Sequence, residues 1–206
     1  MNKHLVEKII SRHAELFFNI HKSLSFDFEY GDGWFDLIDS ALTIIKSHRT
    51  PMEILEIKKH NNSLLIMLSI SRIYDYDYPQ GIIKMTHNLS KSICEACGHP
   101  AFSEFIGCSK CKSTLKIKSD KPEMTTGSPT DSSYMILTYL LETLKYSIRD
   151  IKENTDISKE KLKATVSSGV LSIAYNGNNN IINGMIDLLE VYYLKIDQNN
   201  GVEIAL

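Results

Sequence analysis

The chain has 206 residues, of which 43% are hydrophobic and 23% are charged, and its formal net charge is −2. These values are those of an ordinary soluble globular protein with one large domain or two small ones. The charge argues against a protein that coats nucleic acid non-specifically, because neutralising phosphates requires clustered lysine and arginine. The sequence has no run of 18 apolar residues and no signal-peptide core, so we expect a cytoplasmic location.

The first third of the chain alternates helical and β-strand patterns. Apolar residues at helical spacing predict a helix over residues 4–22, and alternating apolar and acidic residues predict a short strand over residues 26–30. After a glycine-containing break, a second helix is predicted to begin near Trp34 and to end before Pro51.

The next segment predicts a hairpin and then a helix that leads to the cysteines. Two β-rich runs, residues 53–59 and 64–69, flank an asparagine-rich turn. Residues 72–78 are predicted to form a polar, tyrosine-rich connection, and residues 80–93 a helix that ends at Cys94.

The four cysteines form two C-x2-C pairs separated by ten residues: Cys94, Cys97, Cys108 and Cys111. Each pair aims two sulfurs at one ion, so the spacing predicts a tetrahedral four-thiolate zinc site, with Gly98 and Gly107 in the flanking turns. Four thiolates close the coordination shell, so the Zn²⁺ is expected to be structural. The alternatives are two disulfides, although no other feature indicates an oxidising compartment, or a site in which His99 replaces one cysteine.

Residues 119–133 are rich in Pro, Gly, Ser and Thr and nearly lack large apolar side chains, so they are predicted to be a linker. The expected organisation is an α+β zinc-binding domain over residues 1–118 and a helical domain over residues 134–206. The predicted fold class is therefore α+β. A small antiparallel sheet with helices and a four-cysteine zinc knuckle precedes an all-α bundle.

After the linker, helices are predicted over residues 134–146, 158–168 and 181–194. A further short helix is predicted to begin at Ser147, which would cap it. Two short helices joined by a turn are typical of the helix-turn-helix. Residues 134–197 resemble phage-repressor-type helix-turn-helix domains.

That resemblance implies that residues 158–168 enter the DNA major groove. The candidate DNA-binding residues are Ser158, Lys159, Lys161, Lys163 and Thr165. The chain departs from the family at Lys152, where a small alanine is usual, and at Asp156, where glycine is usual. Seven Lys and Arg against ten Asp and Glu over residues 131–206 also count against DNA, so a protein-binding or dimerisation module is the alternative.

Two motifs of the first half resemble an uncharacterised family of small phage and prophage proteins. One is the stretch Gly31-Asp32-Gly33-Trp34, and the other is Cys-Glu-Ala-Cys-Gly-His-Pro over residues 94–100. The resemblance covers about residues 10–112. It implies a phage or mobile-element origin and a zinc-bound fold, and it implies no activity.

Two further groups are candidate sites. Asp32 and Asp36, at helical i, i+4 spacing, are either a metal or acid–base pair or simply a helix cap and a solvated acid. The segment Tyr74–Tyr78 is either a partner-binding surface or an ordinary polar loop, and its candidate residues are Tyr74, Asp75, Tyr76, Asp77 and Tyr78.

The sequence carries no nucleophile elbow, phosphate-binding loop or His-x-x-x-His motif, so an enzyme is the least favoured hypothesis. The first hypothesis is a zinc-binding regulatory protein that binds operator DNA, expected to be a homodimer. The alternative is a phage-encoded inhibitor of a bacterial defence system, similar in action to anti-CRISPR proteins, that binds a host defence protein.

Overall fold

The computed structural model describes residues 1–17, 30–48, 50–70, 76–99, 111, 132–152, 162–167 and 169–200. The helices are α1 (Lys3–Arg12), α2 (Phe35–Ser47), α3 (Asp77–Ser90), α4 (Ser132–Lys152) and α5 (Asn180–Asn200), and the strands are β1 (Met52–His60), β2 (Ser63–Ile70), β3 (Leu162–Ser167) and β4 (Val170–Tyr175). The strands form two antiparallel two-stranded sheets, which confirms the α+β class. None of the described helices combines the length and apolar character needed to cross a membrane.

The first predicted helix ends earlier than expected, at Arg12, whereas the other described elements of the first half lie close to their expected places. The first helix is α1, followed by a 3-10 turn over Ala14–Phe17, and the second predicted helix is α2 after a 3-10 turn over Asp32–Trp34. Residues 18–22 and nearly all of the strand predicted over residues 26–30 lie outside the described residues.

The predicted hairpin is confirmed by the antiparallel pairing of β1 with β2. Asn61 and Asn62 both have positive φ, of 49° and 61°, and asparagine tolerates this left-handed conformation better than most residues. A bulge between Ile54 and Glu56 shifts the inward alternation by one residue, so Ile54 and Ile57 are buried while Leu55 is exposed.

The short helix predicted from Ser147 is not a separate element. Helix α4 continues through Lys152, and Ser147 lies buried inside it, where its hydroxyl donates to the Thr143 carbonyl instead of capping a new helix. No glycine or proline interrupts residues 132–152, so nothing in the backbone ends the helix at this position.

The prediction of a recognition helix over residues 158–168 is wrong over residues 162–167, which form strand β3. Leu162 and Val166 are four residues apart, a spacing that puts both on one face of a helix but also on one face of a strand. The structure shows the strand alternation, because Val166 is buried whereas Lys163 and Thr165 are exposed.

Residues 170–175, for which no element is predicted, form β4 and pair with β3. Gly169 makes the tight connection with φ of 74°, a conformation that favours glycine. The helix-turn-helix bundle is therefore replaced by a β-hairpin between α4 and α5. Residues 153–161, including the predicted turn, lie outside the described part.

Helices α3 and α5 cross in backbone contact. A Cβ atom at Gly81 would lie 1.9 Å from the Ile181 carbonyl oxygen, and one at Gly184 would lie 2.2 Å from the Tyr78 carbonyl oxygen. Only glycine lets the two backbones approach this closely. Buried residues before and after the predicted linker consequently belong to one hydrophobic core.

A buried carboxylate also ties α5 to the first half. Asp39 of α2 is only 4% exposed and is held by His13 at 2.8 Å, Arg12 at 2.9 Å and Lys195 of α5 at 2.6 Å. Burial alone would raise the pKa of Asp39, but the hydrogen bonds from His13 and Lys195, helped by the nearby cationic charges, hold it well below its usual value.

We expect Asp39→Asn to lower the free energy of unfolding at pH 7 by roughly 3 kcal/mol, because it removes the buried charge that holds Arg12 and Lys195 against α2. A carboxyl group whose pKa is lower in the folded than in the unfolded protein stabilises the fold at pH values above its unfolded-state pKa. This stabilisation is lost as the pH falls through the folded-state pKa. The difference between variant and wild type in urea denaturation should therefore shrink below about pH 4.

Glu142→Gln provides the matched control, because Glu142 pairs with Lys145 on the surface of α4. It should change the unfolding free energy by less than about 0.5 kcal/mol. A difference between Asp39→Asn and wild type that stayed constant from pH 7 to pH 3 would contradict the assigned role of the carboxylate.

Candidate metal centre

Three of the four cysteines come together. The sulfur atoms of Cys94, Cys97 and Cys111 all lie within 4.8 Å of one another, and those of Cys94 and Cys111 are 3.5 Å apart. Two thiolates bound to one tetrahedral zinc at about 2.3 Å would lie about 3.8 Å apart, whereas a disulfide bond is about 2.05 Å long. The three cysteines are not joined by disulfides, and their spacing is compatible with binding one metal ion. Cys108, the predicted fourth ligand, lies outside the described residues.

A tight turn sets the positions of the first two sulfurs. The Gly98 amide donates to the Cys94 carbonyl at 2.8 Å, and the Cys94 amide donates to the His99 carbonyl at 2.9 Å. Gly98 has φ of 73°, as the spacing predicts for a residue directly after a C-x2-C pair. We call residues 94–99 the knuckle.

The knuckle is docked on the Gly31–Trp34 turn, which is the other motif noted in the sequence. The Gly33 amide donates to the Glu95 carbonyl at 2.8 Å, and the Trp34 indole nitrogen donates to the Ile93 carbonyl at 3.3 Å. A Cβ atom at Gly33 would lie 2.2 Å from the Gly98 nitrogen and 2.3 Å from the Cys94 carbonyl oxygen. Gly33 is thus required by the close approach of two backbones.

Glu95 extends this contact to the first hairpin. Its carboxylate accepts from the Gly31 amide at 3.0 Å through one oxygen and pairs with Lys59 of β1 through the other. The Lys59 ammonium also lies 6.0 Å from the centre of the Trp34 ring, within the range of a cation–π contact. Glu95 therefore fixes the knuckle to both the Gly31–Trp34 turn and the first hairpin.

Trp34 of the Gly31–Trp34 turn packs against the ring of Tyr30. Trp34 is buried, and the Tyr30 ring lies 6.1 Å from it in a tilted arrangement. Burial raises the pKa of the Tyr30 hydroxyl above its usual value, so this group stays neutral beside the site.

The aspartates of the same region do not form a second metal group. Among the described residues, the three cysteines are the one set of three or more Cys, His, Asp or Glu side chains close enough to share an ion. Asp32 does not cap the following helix, because its carboxylate accepts from the Asn2 amide. Asp39 is occupied by its cationic partners.

The predicted partner-binding segment lies at the start of α3. Tyr74 and Asp75 are outside the described residues, whereas Tyr76 and Asp77 are exposed. Tyr78 is partly buried, donates its hydroxyl to Asp187 of α5, and stacks on His48 with the ring centres 5.0 Å apart.

The predicted DNA-binding residues are not displayed on a helix. Lys163 and Thr165 lie on the exposed face of β3, opposite Ala174 and Ser172 of β4. Ser158, Lys159 and Lys161 lie outside the described residues.

Thiolates are soft ligands that suit zinc and other thiophilic metals. The three close cysteines, two in the knuckle and Cys111 beside it, could therefore bind a metal ion. Comparison with protein-family models, curated proteins and solved structures finds no match to this chain.

We expect Gly33→Ala to weaken zinc binding by about 30-fold, equal to roughly 2 kcal/mol, because the added methyl group pushes the knuckle backbone away from the turn. Competition with a chromophoric chelator measures this affinity. Gly169→Ala is the control, since it strains the β3–β4 turn, which is a different element from the knuckle and from the Gly31–Trp34 turn. Equal zinc affinities for Gly33→Ala and wild type would contradict the docking role of Gly33.

Proposed function

We propose that the protein is a non-enzymatic binding protein whose first half is held together by one structural zinc ion. The observation that carries this proposal is the cluster of Cys94, Cys97 and Cys111 on a knuckle that is docked, backbone to backbone, on the Gly31–Trp34 turn. Cys108 is the proposed fourth ligand, because it completes the second C-x2-C pair with Cys111.

A structural role follows from the ligand set. Four thiolates would leave no open coordination position for water or substrate, which a catalytic zinc requires. The zinc would instead supply folding free energy, since it joins the knuckle to Cys111, which lies 12 residues beyond His99 in the chain.

Contact with a protein is favoured over contact with DNA. The outward face of the β3–β4 hairpin carries one charged residue, Lys163, among small or apolar side chains. DNA binding depends on several basic groups near the phosphates. Exposed large side chains such as Tyr76, Leu55 and Met67, which are 41–45% exposed, are more typical of a protein interface.

The proposed biological role is inhibition of a host defence protein by a phage or mobile-element product. It rests on the resemblance of the two motifs to phage and prophage proteins. A regulator that binds operator DNA is the competing hypothesis, and a homodimer stays a prediction in either case.

Site-specific photocrosslinking tests the proposal. We would replace Tyr76 by p-benzoylphenylalanine in the zinc-loaded protein and irradiate it in an extract of a bacterial host. Tyr146 of α4, 38% exposed against 44% for Tyr76, is the matched control position. We expect a covalent adduct with one protein from position 76 and none from position 146.

Equal crosslinking from both positions would contradict a specific surface at Tyr76. Adducts with nucleic acid and not with protein would contradict the proposed function and support the DNA-binding regulator.

A further inference from the structure

A polar cavity of about 460 Å³ lies between the start of α3, strand β4 and the first turns of α5. Its lining residues are Tyr78, Ile173, Tyr175, Asn180, Asn183, Ile186, Asp187 and Glu190. The volume lies within the range of small-molecule sites. No cysteine of the metal centre and no residue of the Gly31–Trp34 turn lines this cavity, so the inference below does not depend on the proposed function.

The walls of the cavity are fixed by the backbone contact of α3 with α5. Gly184 lets the Tyr78 carbonyl approach α5, and the Tyr78 hydroxyl then donates to the Asp187 carboxylate. On the opposite wall, the Ile173 amide of β4 donates to Glu190 at 2.6 Å. Both carboxylates are therefore held in place by neutral donors.

The two carboxylates have no cationic partner in the part of the chain that the structure describes. Neither Asp187 nor Glu190 forms a salt bridge with a described residue, and no Lys, Arg or His lines the cavity. Asp39, by contrast, has two cationic partners, Arg12 and Lys195, in the same molecule. Burial, together with the charge of Asp187, raises the pKa of Glu190 above its usual value, although the hydrogen bond from Ile173 opposes the rise.

Each carboxylate keeps one oxygen that accepts no hydrogen bond from the described residues, Oδ1 of Asp187 and Oε2 of Glu190. The two residues are three positions apart on α5, so their carboxylates lie on the same side of the helix. Ile173 and Ile186 add apolar surface, and the rings of Tyr78 and Tyr175 complete the walls.

We propose that this cavity binds an organic cation with N–H donors on a short apolar stem, a guanidinium or a primary ammonium. The planar N–H fork of a guanidinium can donate to both carboxylates, and its stem would lie against the isoleucines. The same group occurs in a free amine metabolite and in an arginine side chain of another protein, and binding experiments can separate these two sources.

The test uses the full-length zinc-loaded protein and three probes followed by NMR amide shifts and calorimetry. The probes are n-butylguanidinium, its neutral isostere n-butylurea, and the blocked peptide acetyl-Gly-Arg-Gly-amide. We expect n-butylguanidinium to shift the Ile173 amide resonance in a saturable way and to bind at least about tenfold more tightly than n-butylurea. Tighter binding of the peptide than of n-butylguanidinium would indicate that the cavity takes an arginine side chain of another protein. Tighter binding of n-butylguanidinium would indicate that it takes a small free cation.

Asp187→Asn and Glu190→Gln should each weaken n-butylguanidinium binding about tenfold. Both amides keep the oxygen that accepts from Tyr78 or Ile173, so the fold should persist, and Glu142→Gln on the surface of α4 is the charge-matched control. The proposal is overturned if n-butylurea binds as well as the cation, if the double variant binds n-butylguanidinium unchanged, or if Mg²⁺ or Ca²⁺ displaces it at equal concentration.

Discussion

The fold of the first half depends on one contact, in which the knuckle backbone lies directly against the Gly31–Trp34 turn. Two glycines make it possible for different reasons. Gly98 supplies the left-handed conformation that closes the knuckle, and Gly33 supplies the empty space into which the knuckle fits. Cys94 and Cys97, the first two residues of the cysteine cluster, are thus positioned by residues that lie some 60 positions earlier in the chain, as the Gly33–Glu95 hydrogen bond shows.

This contact also explains why the two motifs occur together in one sequence. Glu95, between the cysteines, accepts from Gly31 and pairs with Lys59, so the turn, the hairpin and the knuckle converge on one side chain. Farther along the chain, α5 is attached by the α3–α5 glycine crossing and by the Lys195–Asp39 pair. The residues after the linker therefore extend the core of the first half, although the composition of residues 119–133 favours two domains.

The sequence predicted the parts that carry a strong local signal. The C-x2-C pairs marked the cysteines, three of which come together among the described residues, and the Asn61–Asn62 turn between β-rich runs marked the first hairpin. The second hairpin was missed because the Leu162–Val166 spacing is shared by helices and strands, and the polar, β-branched surroundings did not decide between them. The tertiary contacts of Gly33, Gly81 and Gly184 have no local signature, since glycine in a sequence indicates a turn as readily as a close approach.

X-ray absorption at the zinc K-edge of the purified, zinc-loaded protein tests the central claim most directly. It reports the number and type of atoms around the metal and so includes the fourth ligand, for which Cys108 is proposed. A knuckle with a closed thiolate shell predicts four sulfur neighbours at about 2.3 Å. A shell that contained two or more nitrogen or oxygen neighbours at about 2.0 Å would contradict a structural four-cysteine site and would reopen the question of catalysis.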